Sequence, residues 1–176
     1  MSDLSLGMLF ALLAAAGWTD WQSHRIPNWL VFGGAALGLA WNGLMPLERG
    51  WAASLEGLAL GLVMLLPLYG LRAMSAGDVK LMAMVGSFLG PMGVFGAALA
   101  TFLAGGAIAV AMALKNGVFG KMFRNLHFIV VGSAVKLASG SVPTADALGE
   151  SAARMPYGIA IAAGTAAFVA WQRWQG

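Results

Sequence analysis

Long apolar runs separated by short polar breaks set the pattern of this chain. The first, Leu4 to Thr19, closes at Asp20 with Trp18 and Trp21 beside it, and indole rings suit a membrane–water boundary. Gln22-Ser23-His24-Arg25 then turns the chain. Ile26-Pro27-Asn28 opens a second helix, because proline costs nothing in a first turn where its missing N–H would find no partner anyway. That second span is predicted from about Trp29 to Met45. After the turn Pro46-Leu47-Glu48-Arg49-Gly50, a third covers about Ala52 to Leu71, with Glu56 near its start and a kink expected at Pro67.

Arg72 to Lys80 is the next polar connection, and the segment after it is short. At about 1.5 Å per residue, Val79 to Leu89 falls well below the roughly 30 Å of bilayer hydrocarbon unless it continues through Gly90-Pro91, so a thinned or broken span is expected. Val94 to Leu114 is the fifth span, with Gly105-Gly106 as a small-residue face for close packing. Residues 115–154 are expected to form a cytoplasmic loop, with an interfacial helix over Asn125 to Leu137. The last span starts at Met155-Pro156-Tyr157-Gly158 and runs to about Trp171. The pattern predicts an all-α polytopic membrane protein with about six transmembrane helices, forming one integral membrane domain over residues 1–176.

Composition agrees. The chain is 60% hydrophobic and 10% charged, where soluble domains have about 25% charged residues. The first run follows an acidic rather than a basic start and is read as a retained helix, not a signal peptide. With no cysteine there is no disulfide framework, thiolate metal site or cysteine nucleophile. Ten Lys and Arg stand against seven Asp and Glu, but they form no dense basic stripe, so nucleic acid is not expected as a partner. Membrane orientation accounts for them better. The connections after spans one, three and five hold Arg25, Arg72, Lys80, Lys115, Lys121, Arg124, Lys136 and Arg154, whereas the other side holds only Arg49 and Arg173. This bias puts both termini outside the cell membrane and places Asp20 and Asp78 together on the cytoplasmic side.

An acid beside the bilayer is costly, by about 2.5–3.5 kcal/mol at the centre on insertion scales and less at the interface. A single acid at a helix end is more often an N-cap or an interface residue than a catalyst. Two on one face, brought together, can share a proton, so that one activates water while the other donates to a carbonyl oxygen. No metal or cofactor is called for. Gly77, just before Asp78, leaves room for a substrate backbone to approach.

These residues carry a resemblance. Met74-Ser75-Ala76-Gly77-Asp78-Val79-Lys80-Leu81 resembles the GxGD-type motif of type IV prepilin leader peptidases, which are membrane aspartic proteases. Asp20 through Ile26-Pro27-Asn28-Trp29 is similar to that family's segment around its first aspartate, and Met155-Pro156-Tyr157-Gly158 to the start of its last helix. The resemblance implies that Asp20 and Asp78 are the catalytic pair; Gly77, Lys80, Pro156, Tyr157 and Gly158 are expected as substrate-binding or supporting residues. It implies removal of a short basic leader from a prepilin or pseudopilin, at the cytoplasmic face of a bacterial inner membrane, just before a hydrophobic helix. Ser75 departs from the motif, where glycine is expected. The Cys-containing cytoplasmic domain of longer members is also missing, and the short length resembles the Flp/Tad-pilus branch.

Among the other polar residues, Lys80 reads foremost as a positive-inside lysine, His24 as a solvated turn residue and Glu56 as an outer-side packing residue; His127 is assigned no role. Two other function classes compete. A small ion- or proton-coupled transporter would also use intramembrane acids, although these lie at helix ends and no inverted repeat is evident. A non-catalytic membrane assembly subunit would need only the glycine-rich helices.

Overall fold

A computed structural model describes residues 2–23, 25–45, 50–70, 74–115 and 157–175, and every regular element among them is helical. In chain order these are α1 (Asp3–Ser23), α2 (Asn28–Leu44), α3 (Gly50–Gly70), α4 (Ala76–Lys115) and α5 (Tyr157–Gln175). The backbone divides into two compact units. One comprises residues 1–105 and 156–176; the other comprises 106–155, of which the described part is the end of α4. The interfacial helix and loop expected over 115–154 lie outside the described residues, apart from Lys115 itself.

Neighbouring helices of the first unit run antiparallel, as their end contacts show. Gly158 at the start of α5 bonds to Asp20 at the end of α1, while Arg173 near the end of α5 pairs with Asp3 at the start of α1. The indole N–H of Trp41, late in α2, donates to Ser2 Oγ at 3.3 Å beside the start of α1. α3 lies against α4 at backbone distance: a Cβ on Gly57 would come within 2.2 Å of the Gly86 carbonyl, and one on Gly61 within 2.5 Å of the Met82 carbonyl. Only glycine permits so close an approach.

α4 changes course at Gly90, whose φ of 69° and ψ of −178° lie outside the helical region, and Pro91 follows. Its first arm, from Ala76, runs antiparallel to α3. Its second arm lies along α5 in the opposite sense: Gly96 meets Phe168, Thr101 meets Gly164, and Gly105 faces Ala160 and Tyr157. The chain therefore returns toward the end of the bundle where α4 began. Pro91 has no N–H to offer the Ser87 carbonyl one turn back. Asn42 Nδ2 supplies that carbonyl at 2.7 Å and the Phe88 carbonyl at 3.3 Å, and Ser54 Oγ donates to Ser87 O at 2.5 Å.

The first arm of α4 is the centre of the core. Residues 81–90 are all buried, with Leu81, Met82, Met84, Val85, Phe88 and Leu89 enclosed by Leu9, Leu13, Val31, Leu65 and Ile161. Large apolar side chains also cover the outside, among them Trp29, Phe32, Leu37, Val63 and Leu103. Apolar residues on both the inner and outer faces fit a protein surrounded by lipid.

The chain is thus an all-α membrane protein, and the described residues show fewer qualifying spans than the six transmembrane helices expected. Among the described residues three helices are long and apolar enough to cross a membrane: Asp3–Ser23, Gly50–Gly70 and Ala76–Met112. The expected second span, α2, has only 17 residues, and the expected fourth and fifth spans join in α4. α5 is long enough, but its end is polar.

Candidate active site

Asp20 lies on the last turn of α1 and Asp78 on the first turn of α4, and both are buried, with 6% and 4% of their surface exposed. A carboxylate removed from water needs compensating hydrogen bonds. Asp78 obtains one locally. Ser75 precedes α4 as its N-cap, and its hydroxyl accepts from the Asp78 N–H at 3.3 Å while Asp78 Oδ2 accepts from the Ser75 N–H at 2.9 Å. This reciprocal capping box fixes both the start of the helix and the direction of the carboxylate. The serine that stands where the motif has glycine is therefore the helix cap.

Asp20 obtains one from a distant part of the chain. Its Oδ2 accepts from the Gly158 N–H at 2.8 Å, in the first turn of α5, where backbone donors have no partner within the helix and the helix dipole favours negative charge. A Cβ at residue 158 would lie 2.8 Å from Asp20 Oδ2 and 3.1 Å from its Cγ, so the contact exists only because residue 158 is glycine. The end of α1 and the starts of α4 and α5 thus meet at one end of the bundle.

The remaining candidates lie around this pair in different ways. A Cβ on Gly77 would meet Ser75 Oγ at 3.3 Å and Ile26 Cβ at 3.4 Å, so the side of Gly77 expected to admit a substrate backbone faces Ile26. Lys80 turns to α2, donating from Nζ to Asn28 Oδ1 at 3.0 Å and lying 5.3 Å over the Phe32 ring. Tyr157 packs against the core beside Gly105. Pro156, His24, Arg72 and His127 lie outside the described residues, and Glu56 is exposed on α3. Among the described residues no group of three or more His, Asp or Glu is placed to hold a metal ion.

Two roles at this site lie outside the chemistry that the residue types suggest. The hydroxyl–acid spacing of Ser75 and Asp78 just before an apolar helix is a capping-box signature, and it was available from the residues alone. The second is the seating of Ile26-Pro27-Asn28 against α4, which packs Ile26 on Gly77 and offers Asn28 to Lys80. That seating has no local signal.

A family model described as the type IV leader peptidase family matches residues 7–110, a stretch that includes both aspartates and ends before α5. No curated protein and no solved structure matches the chain.

Proposed function

The chain belongs to the type IV leader peptidase family, and from that premise we propose that it is an aspartic endopeptidase in which Asp20 and Asp78 act as an acid–base pair on prepilin-like substrates. One observation supports this above the rest: two buried carboxylates, from helices far apart in sequence, occupy one end of the bundle, and each accepts a hydrogen bond from a backbone N–H. One carboxylate takes a proton from water as its oxygen bonds to the scissile carbonyl carbon, and the other gives its proton to the carbonyl oxygen. Collapse of the resulting diol breaks the C–N bond as the departing amine takes a proton from the protonated carboxyl and a diol hydroxyl returns its proton to the other carboxylate. Gly77, Lys80, Tyr157 and Gly158 support the pair from α4 and α5, as does Pro156, the residue before Tyr157.

The same reading orients the protein. The two arms of α4 count as separate crossings, so that six helical segments alternate in direction within one membrane domain. The site then faces the cytoplasm of a bacterium, and both termini lie on the outer side of the inner membrane. The substrate is a prepilin or pseudopilin of the Flp/Tad type, cut between a short basic leader and its apolar helix.

The test is co-expression with such a substrate, following leader removal by gel shift for the wild type, Asp20→Asn and Asp78→Asn. Each substitution is expected to lower the cleavage rate by at least about a thousandfold, because members of a catalytic unit fail together. Cleavage that persists in either variant sinks the pair. Proton movement by the protein in vesicles, with no cleavage by the wild type, would instead favour a transporter.

A further inference from the structure

We propose that Gly158 is a positioning residue for this chemistry: its backbone N–H aims the Asp20 carboxylate, and its lack of a side chain sets the spacing of α1 and α5 at the site. The inference rests on the reading of Asp20 and Asp78 as the acting pair. The bond itself is short, at 2.8 Å, and both partners are buried. A Cβ at residue 158 would lie 2.8 Å from Asp20 Oδ2, 3.0 Å from its Cβ and 3.1 Å from its Cγ. Rotating the aspartate side chain relieves the first and third of these contacts but not the second, because Cβ is fixed to the α1 backbone. Any side chain at 158 therefore has to push the two helices apart where the carboxylate is held.

Two further contacts join α1 and α5. Asp3 pairs with Arg173 at the far end, and Gly17, one turn before Asp20, lies opposite Ile159 and Ala162. Gly17 also supplies the comparison. A Cβ there would have its nearest neighbours at 4.0 Å, an ordinary contact, so the demand for glycine at 158 comes from the carboxylate and not from helix packing in general. Displacing Asp20 leaves the substrate's own binding contacts in place but spoils its alignment with Asp78. The effect belongs in kcat and not in KM.

The experiment compares Gly158→Ala and Gly17→Ala with the wild type in steady-state leader cleavage. Loss of a hydrogen bond to a charged group predicts a fall in kcat of about 10- to 100-fold for Gly158→Ala, with KM changed by less than about twofold, and no change for Gly17→Ala. A second measurement does not depend on that variant folding. Both tyrosines in the chain, Tyr69 and Tyr157, are followed by glycine, so labelling tyrosine carbonyls with 13C and glycine amides with 15N selects two resonances, Gly70 and Gly158. Asp20→Asn is expected to move the Gly158 signal and leave Gly70 in place. Full kcat in Gly158→Ala, a change in KM alone, or two unmoved resonances would each overturn the proposal. Should Asp20→Asn itself cleave normally, the acting pair is refuted instead; an inactive Asp20→Asn beside a fully active Gly158→Ala refutes only the positioning role.

Discussion

Replacing Asn42 by leucine and Ser54 by alanine tests whether the turn of α4 at Gly90 depends on donors from other helices. Three hydrogen bonds reach two carbonyls there: Asn42 Nδ2 to Ser87 O and Phe88 O, and Ser54 Oγ to Ser87 O. The donors are 2% and 0% exposed. Ser54→Ala leaves Ser87 O with Asn42 and removes one net hydrogen bond, a loss of about 0.5–1.5 kcal/mol. Asn42→Leu leaves Ser87 O with Ser54 but strips Phe88 O of its side-chain donor. A buried orphan acceptor costs about 1–3 kcal/mol. Asn42 Oδ1 is itself buried with no hydrogen-bond partner, and leucine removes that penalty, so the expected loss sits near the lower end, about 1–2 kcal/mol. Only the double variant leaves Ser87 O with neither donor. It should therefore lose about 1 kcal/mol more than the sum of the single changes. Reversible unfolding in mixed micelles, titrated with a denaturing detergent, measures all three losses. Single costs that add to within about 0.5 kcal/mol, or a neutral Asn42→Leu, would refute the account of the turn. Cleavage by the folded fraction should be unaffected, since Gly90 is twelve residues, or about 18 Å of helix, beyond Asp78.

Two further substitutions examine the packing and the cap. Gly57→Ala forces a Cβ against the Gly86 carbonyl and should lower stability by at least about 1–3 kcal/mol, whereas Gly33→Ala, with nothing within 4 Å, should gain about 0.5–1 kcal/mol from helix propensity; similar thermal shifts for both would argue against backbone contact between α3 and α4. Ser75→Gly introduces the motif glycine, loses the hydroxyl cap and keeps the N–H that orients Asp78. It should cost only about a few tenths of a kcal/mol and alter the cleavage rate by less than about twofold, and a tenfold loss would mean that the hydroxyl itself takes part in the reaction.

Much of this protein follows from the sequence alone. A backbone in lipid must satisfy its own polar groups, so membrane helices announce themselves as long apolar runs, and α1, α2, α3 and α5 begin and end within a few residues of where the polar breaks put them. Asp20 and Asp78 stand out for the same reason, since a charge in so apolar a chain is conspicuous. Gly90-Pro91 is legible as a break, and Ser75 with Asp78 as a cap. Which helices become neighbours is not legible. Lipid and protein interior are equally apolar, so hydrophobicity does not distinguish the face of α4 that packs on α3 from a face that meets lipid. Tertiary structure alone decides that α4 doubles back and that Asn42 and Ser54 meet the Ser87 carbonyl. It also brings Gly158 to Asp20 across 138 positions of sequence. These contacts are made by backbone amides, carbonyls and missing side chains, and such groups leave no periodic trace in the order of the residues.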